Sequence, residues 1–553
     1  MKRIGSEKKI PKPTDDENGG PVSNPISVDN LSDEEELEHL AEQIERLDVE
    51  FERDEGISQQ SVYTPRDDSA ILSSYPLSLL TQFQSIVTIS SAAPPWLTGT
   101  SINPALRASY LHNMGHTVTL LIPFIPPEQQ PSIFNPGTIF ESPEDQIPAV
   151  LEAIEKRVSF SIQGLNIAFY PGRYDSVLGS ILPVNNLQDH VPEGAADLIV
   201  LEEPEHLTWY HTGTRWTKAY PAVVGIMHTN YVDYIARSAG KAAAGTIMRV
   251  NKFLVAQHVH VAIKLSDAVQ QLPRQSTCFV HGVSEKFLHF GDAVGKNEIS
   301  FTKGLYFLGK ALWAKGYEEL LDVFSKHALN LASSSSSSSP LDPPTVDVFG
   351  SGADLPAITK ESKKRGLRMT FHGAKDHMSD DMQQYRAFIN PSTSDVVATT
   401  SAEALAMGKW LIVPKHACNE FFITHFRNCL VYDNKDDGNT FAAALNKALN
   451  EQPFPLSDGE RNVLTWEAAT RRFADVASQG LLGYEKSGRL QRAADKTAYV
   501  TYNVIITGIE AVRKAMAAQQ RRGRRERNAS SSALLASAPG NTGAAALAPA
   551  VQS

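Results

Sequence analysis

Short apolar runs separated by longer mixed segments recur along most of the chain. "SIVTIS", "TVTLLIPF", "ADLIVLEE", "AVVGIMHT" and "TCFVHG" concentrate aliphatic and β-branched residues over six to eight positions each. Runs that are apolar throughout, rather than alternating, belong to strands covered on both faces, as in a parallel sheet flanked by helices. After "LHFGDAVGKNEISFTKG" the alternation resumes with "GLYFLGK", "TVDVFG", "RMTFHG", "AFINPS" and "KWLIVP". The pattern predicts two successive α/β units, 79–290 and 291–490, with 1–78 and 491–553 outside them. It also predicts a helix over Ala105–Asn113 and a buried helix over "FLVAQHVHVAIKL", and it ends the first strand near Ser91. The serine tract in "LASSSSSSSPLDPP" cannot build a core and reads as an expanded surface loop.

The flanks differ in composition. Residues 29–55 hold 13 Asp or Glu against two Arg, a local balance of −11, while the whole chain of 553 residues carries −10. The remainder is therefore close to neutral, and overall acidity says little about what the folded part binds. "LSDEEELEHLAEQIERLDVEF" has Leu37, Leu40, Ile44 and Leu47 at helical spacing, which suits a solvated acidic helix or a docking helix. Residues 513–527 hold seven Arg or Lys, a basic tail for which no nucleic-acid role is expected. Three cysteines without a CxxC pair argue against a structural zinc cluster or a disulfide-built fold. No apolar run reaches the roughly 18 residues of a spanning helix, and the N-terminus lacks the apolar core of a secretory signal. Membrane contact, if present, is expected to be peripheral.

Candidate chemistry collects at predicted strand ends. In "LTGTSINP", Gly99 and Thr100 form a small-profile loop after the first strand, where a ligand can approach the sheet's carboxyl edge. His228 emerges as the strand "AVVGIM" stops. "EEPEHLTWYHTG" adds Glu202, Glu203, Glu205, His206 and His211, although no tight metal-ligand spacing links them. In "LYFLGKALWAKG", Gly309 and Lys310, then Lys315 before a helix, place positive charge and backbone amides where a diphosphate would sit. GxxxxGK[ST] is missing, so ATP hydrolysis lacks support. Gly350, Gly352, Gly373, Lys375 and His377 follow later strands. "PSTSDVVATTSAEALAMGK" carries Asp395 and Glu403 among small hydroxylated residues, including Thr399 and Thr400. A capping role for Thr400 or Ser401 with Glu403 in the first helical turn accounts for Glu403 but leaves Asp395 unexplained. A carboxylate that accepts two hydrogen bonds from a cis-diol suits a ribose or a hexose. Together with the lysines this constellation fits a nucleoside diphosphate sugar.

The spacing Asp395, seven residues, Glu403, with Lys315 in "KALWAKG" and the crossing segment "HGVSEKF", resembles the retaining glycosyltransferases of the GT-B fold, two Rossmann-like domains facing across a cleft. That family, which includes sucrose synthase, usually has Glu where Asp395 stands and Arg where Lys310 stands. "YPGRYDSVLGSILP", "ADLIVLEEPEHLTWYHTG", "GIMHTNYVDY", "FINPSTSDVVATTSAEALAMGK" and "LTWEAATRRF" further resemble the digalactosyldiacylglycerol synthases of plant and algal chloroplasts, in their shorter form. The resemblance covers about 81–478. It implies transfer of galactose from UDP-galactose to monogalactosyldiacylglycerol with an α-1,6 linkage, at the cytosolic face of the chloroplast outer envelope. It also implies His228 near the transferred sugar, Lys310 and Lys315 on the diphosphate, Asp395 near the hexose and phosphate, Glu403 on the ribose, and Gly99 beside donor or acceptor.

No carboxylate of the N-terminal constellation stands out as a nucleophile, which favours departure of UDP with front-face attack and needs no cofactor or metal. The competing readings are a transferase for another nucleotide sugar or a soluble acceptor, and a non-catalytic galactolipid-binding protein. For membrane contact the candidates are Trp96 in "PPWL" and the basic residues Lys241, Arg249 and Lys252. The pattern does not fix an oligomeric state.

Overall fold

The computed structural model describes residues 83–487 except 177, 178, 195, 210, 212, 213 and 335–343. The acidic helical pattern, most of the serine tract and the basic tail lie outside the described residues. Two sheets carry the fold. The first has the order β4-β3-β2-β1-β5-β6-β7-β8. Its strands are β1 (Ser85–Ser90), β2 (Thr117–Phe124), β3 (Asn166–Asp175), β4 (Ser180–Pro183), β5 (Leu198–Glu202), β6 (Ala222–Met227), β7 (Val261–Lys264) and β8 (Gln275–Thr277). The second has the order β11-β10-β9-β12-β13-β14. It is built from β9 (Lys303–Leu308), β10 (Val346–Phe349), β11 (Met369–His372), β12 (Tyr385–Ile389), β13 (Trp410–Pro414) and β14 (Cys429–Tyr432). Every pairing is parallel except β3 with β4.

In each sheet the chain starts at a central strand, works outward to one edge, then returns to the centre and builds the other side. The reversals fall between β1 and β5 and between β9 and β12. At such a switch point the loops leave in opposite directions and open a crevice at the strands' carboxyl ends. The architecture is the paired Rossmann-like arrangement that the sequence pattern and the family resemblance imply.

Six helices matter to the site: α1 (Gly99–Asn113), α2 (Tyr231–His258), α3 (Glu285–Gly295), α4 (Tyr317–Ser334), α5 (Thr399–Ala406) and α6 (Trp466–Ser487). Helix α1 starts six residues before the expected Ala105 and contains Pro104. Proline has no N–H to give the carbonyl four residues back. That carbonyl, on Thr100, instead accepts 2.7 Å from the Ser90 hydroxyl, so the helix runs through its proline undamaged. Helix α2 turns at Gly240, whose φ of 89° lies outside helical geometry.

The expected helix "FLVAQHVHVAIKL" divides instead: α2 ends at His258, and Val261–Lys264 form β7. His260 helps fix the break, donating its N–H to Val223 O at 2.9 Å and accepting Val223 N–H on Nδ1 at 3.0 Å. Of "TCFVHG" only Thr277 belongs to a strand. Cys278 still donates to Lys264 O at 2.8 Å, but beyond it other groups claim the chain: Arg107 donates to Val280 O at 2.9 Å, and Val283 donates to Leu464 O at 2.8 Å. The sequence reading does not single out β3, β4 or β14, and β3 is only partly buried.

Packing also moves the expected unit boundaries. Phe287, Leu288 and Phe290 of α3 lie in the second unit's core. Phe473, Ala474, Val476 and Ala477 of α6 lie in the first unit's core, with Ile86, Val200 and Ile263. The chain therefore crosses over near residue 283 and returns near 466, short of the expected limit at 490. We predict that Phe473→Ala, which deletes a fully buried ring, costs about 3–5 kcal/mol. Denaturant unfolding of the variant measures it, and a change below about 0.5 kcal/mol contradicts the return packing.

Candidate active site

The second unit brings both lysines to the carboxyl end of β9, beside the switch point. Lys315 ends a short turn, Trp313–Lys315, and Gly316 follows with φ 85°. A Cβ on Gly316 would stand 2.8 Å from the Ser392 backbone, so only glycine lets this loop rest on the loop after β12. The close approach carries Lys315 Nζ to Asp395 Oδ1 at 2.9 Å and over the Tyr234 ring at 5.7 Å. Asp395 is itself placed, donating its N–H to Ser392 Oγ at 3.2 Å and accepting from Asn390 Nδ2 at 3.4 Å. Burial works against the charge on Lys315, but Asp395 and Tyr234 outweigh it and hold the ammonium above its ordinary range. Burial, then the charge of Lys315, pushes Lys310 the other way. Lys310 Nζ lies 5.7 Å from the Trp96 ring centroid, across from the first unit.

Helix α5 corrects the capping expectation. It begins at Thr399 after Ala398 in a left-handed conformation (φ 45°), and no side chain caps it. Glu403 thus stands in the second turn, where its Oε2 accepts from His377 Nδ1 at 2.7 Å. Tyr306 donates its hydroxyl to His377 Nε2, also at 2.7 Å. A neutral imidazole with its proton on Nδ1 satisfies both contacts. Sequence reading places His377 after β11 with Gly373 and Lys375; the fold adds its contact with Glu403.

The other expected positions divide. Thr399 Oγ1 lies 4.0 Å from where a Cβ on Gly99 would be, so the loop after β1 faces the start of α5 across the cleft. Thr100 lies in the first turn of α1, its hydroxyl 3.2 Å from that of Thr98. Gly350, at φ 152°, approaches Gly309 so closely that a Cβ would sit 1.9 Å from Gly309 O. Gly352 meets Ala311 O in the same way, at 2.4 Å. Both are needed for loop-on-loop packing beneath the lysines, which already explains the glycines. A Cβ on Gly373 would meet nothing within 4 Å, and Lys375 is tied to Asp381 of its own loop.

His228 stands at the end of β6, 7 % exposed, and donates from Nε2 to Glu202 Oε2 at the end of β5. Glu202 Oε1 accepts from Arg107 Nε of α1 at 2.8 Å. Burial opposes the Glu202 carboxylate, but Arg107 and His228 together hold its pKa below the ordinary value. The contact leaves His228 Nδ1 buried and without a protein partner. Arg107 was not singled out from sequence. Its signal is the only Lys or Arg in α1, amid small and apolar residues.

The neighbouring Glu203, in a left-handed conformation (φ 74°), accepts from the hydroxyls of Ser91, Thr229 and Tyr231. His206 and His211 contact the carbonyls of Ile181 and Thr214 instead. Among the described residues no group of three or more His, Cys, Asp or Glu is placed to hold a metal ion. The units are bridged by Arg237 of α2, which meets Glu319 of α4 at 3.1 Å and Asp233 at 2.9 Å. The expected membrane aromatic, Trp96, is half-buried in the cleft, edge-on to Tyr174 at 6.4 Å, while Leu97 beside it is 60 % exposed.

Two buried histidines give the fold an acid limit above the carboxylate range. Burial, then Arg274, brings His260 down to about 4; burial, then His228 and Arg107, holds His281 well below 6.5. Both rings are neutral when folded, while the unfolded chain protonates them as pH falls through about 6.5. The unfolded state then binds more protons, and stability declines. We predict a falling urea midpoint between pH 7 and 5, part of which His281→Phe removes. A flat profile contradicts these assignments.

The family described as "Glycosyl transferases group 1" matches residues 296–462. The chain is 40% identical over 456 residues to digalactosyldiacylglycerol synthase 2, chloroplastic, of Arabidopsis thaliana, covering 79% of this chain and 93% of that one. It is also 40% identical over 410 residues to digalactosyldiacylglycerol synthase 1, chloroplastic, of Lotus japonicus, where it covers 73% of this chain and spans about half of the relative's length (50%). Among solved structures, sucrose-phosphate synthase from Thermosynechococcus elongatus matches at TM-score 0.43 and 15% identity, over 75% of this chain and 100% of that one. The chain belongs to the glycosyltransferase family of the digalactosyldiacylglycerol synthases.

Proposed function

We propose that the protein is a retaining galactosyltransferase that moves galactose from UDP-galactose to monogalactosyldiacylglycerol, forming an α-1,6-linked digalactosyl lipid and UDP. The observation that carries the reading is the pair Lys310 and Lys315 at the β9 switch point, with one carboxylate, Asp395, against Lys315. Two ammonium groups facing one carboxylate leave an excess of positive charge that suits a diphosphate. The identity to relatives of that name supports the choice of donor and acceptor.

In this reading the bond from galactose C1 to the phosphate oxygen breaks, and its electron pair goes to the departing UDP. The acceptor's hydroxyl oxygen bonds to C1 on the same face, and its proton passes to the departing phosphate oxygen. Lys310 and Lys315 stabilise the charge that develops there. Glu403, turned by His377, accepts from the ribose hydroxyls. Asp395 contacts the hexose, and His228 hydrogen-bonds a sugar hydroxyl through Nδ1. The protein works at the cytosolic face of the chloroplast outer envelope as a peripheral protein. No described helix is long and apolar enough to cross a membrane.

The test is mass spectrometry and linkage analysis of the product from UDP-galactose and detergent-dispersed monogalactosyldiacylglycerol. A digalactosyl lipid with retained α-1,6 configuration is expected, with activity kept in the presence of a chelator. Transfer only to free galactosides, or lipid binding without UDP release, overturns the reading. We expect Lys315→Ala to lower kcat about 10²- to 10³-fold, as for loss of one transition-state donor, and to weaken UDP binding by calorimetry. His228→Ala should lower turnover far more than stability. Wild-type values in either variant remove that residue from the site.

A further inference from the structure

We infer that Tyr306 is a positioning residue for the nucleotide: its hydroxyl holds the His377 ring neutral with the proton on Nδ1, and that proton turns a fully charged Glu403 to the ribose diol. The inference rests on the function proposed above, which puts Glu403 on the ribose, and adds to it what makes the site selective for a nucleotide that carries both ribose hydroxyls.

Four segments meet at this point. Tyr306 stands on β9, His377 follows β11, Glu403 lies in the second turn of α5, and Lys409 directly precedes β13. Tyr306 has no solvent contact, and its ring is packed by Phe388 at 5.0 Å and Tyr385 at 5.1 Å between centroids. Lys409 Nζ, also fully buried, lies 5.3 Å from the same ring while donating to Tyr385 O at 2.6 Å and Met382 O at 2.8 Å. Among the described residues the hydroxyl of this firmly held phenol bonds only His377 Nε2, at 2.7 Å. Burial, then the charge of Glu403, raises the Tyr306 hydroxyl well above its ordinary range, so it stays a donor.

The two bonds to His377 fix its state. An ionised carboxylate only accepts, so the 2.7 Å contact with Glu403 Oε2 requires the proton on Nδ1. A phenol that donates requires a lone pair on Nε2. Both demands together exclude an imidazolium, whose charge would neutralise Glu403. With the ring neutral, the carboxylate keeps its charge for a ligand, and bonds to a charged acceptor are the strong ones. The His377 side chain is 5 % exposed and that of Glu403 18 %, so the ring is sealed in protein while the carboxylate remains accessible. Glu403 also lies one helical turn after Thr399, the residue that faces the loop after β1 across the cleft. Removal of the phenol leaves Nε2 a buried lone pair without a donor. The ring then turns or takes a second proton, and either change reduces what Glu403 offers a diol.

The experiment uses the full-length protein and calorimetry with two nucleotides, UDP and 2′,3′-dideoxyuridine diphosphate, which lacks the diol. Wild type should bind UDP about tenfold or more tighter than the dideoxy nucleotide, the scale of bonds to a charged group. Tyr306→Phe removes one oxygen and keeps the ring. It should weaken UDP about three- to tenfold and leave the dideoxy nucleotide within about twofold, so that the ratio shrinks. His377→Asn, whose side-chain amide can donate where Nδ1 does, should keep more of the ratio than His377→Leu. Wild-type UDP affinity in Tyr306→Phe overturns the inference. So does equal weakening of both nucleotides, which makes the phenol a packing group only, or a wild type that binds both alike, which takes Glu403 off the ribose. Should Tyr306→Phe fail to fold, the two His377 variants decide, and equal ratios in them overturn the inference. If the wild-type protein neither binds UDP nor forms the digalactosyl lipid, the proposed function itself falls, a result separate from any change in the nucleotide ratio.

Discussion

The ion pair between Arg107 and Glu202 is the constraint under which the first unit is assembled. Both side chains are essentially without solvent contact, and their 2.8 Å bond lies beneath the cleft floor. A buried charge pair is weak evidence of net stabilisation, yet removing one partner costs about 3–5 kcal/mol because the other is left uncompensated. Around this pair the chain is tied together. Glu202 orients His228 from β6, Arg107 donates to Val280 in the crossing segment, and the Arg107 guanidinium lies over the rings of Trp466 and Phe473 in the returning helix. The position of His228 therefore depends on a chain reversal more than two hundred residues later in the sequence.

The second unit solves a different problem, keeping two lysines close together without a ligand to neutralise them. Lys315 is stabilised by Asp395, while Lys310 bears the penalty of burial and of its neighbour's charge. Mutual repulsion of this kind is relieved when a dianion arrives, so the arrangement favours binding and, more so, the state in which negative charge accumulates. Tyr234 and Arg237 reach the second unit from α2, so the same helix contacts Lys315 and anchors Glu319. Cleft geometry and lysine electrostatics are thereby linked through one element.

Much of this was legible in the sequence, for a physical reason. Strands buried on both faces must be apolar throughout, so the central strands announce themselves, as do the loops at their carboxyl ends. Strands β3 and β14 are partly exposed, and the sequence reading does not single them out. The return of α6 was hidden because an amphipathic helix reads alike whichever core it covers. Lys315 and Asp395 were visible because charge in a stretch of small residues has few structural excuses. His377 was visible behind its strand, though not its bond to Glu403, and Arg107 was not, since an arginine inside a helix has ordinary explanations until the fold shows what it touches.

The doublet Glu202–Glu203 shows how local geometry assigns roles that composition cannot. Successive residues of a strand point to opposite faces, so two adjacent carboxylates at a strand end meet different partners. Glu202, the last residue of β5, turns to Arg107 and His228. Glu203 has left the strand in a left-handed conformation, unfavourable for a residue with a Cβ, and gathers hydroxyls from the loops after β1 and β6. Its strain is offset by three donors that hold those loops together at the switch point. One glutamate positions the His228 ring and the other shapes the crevice around it.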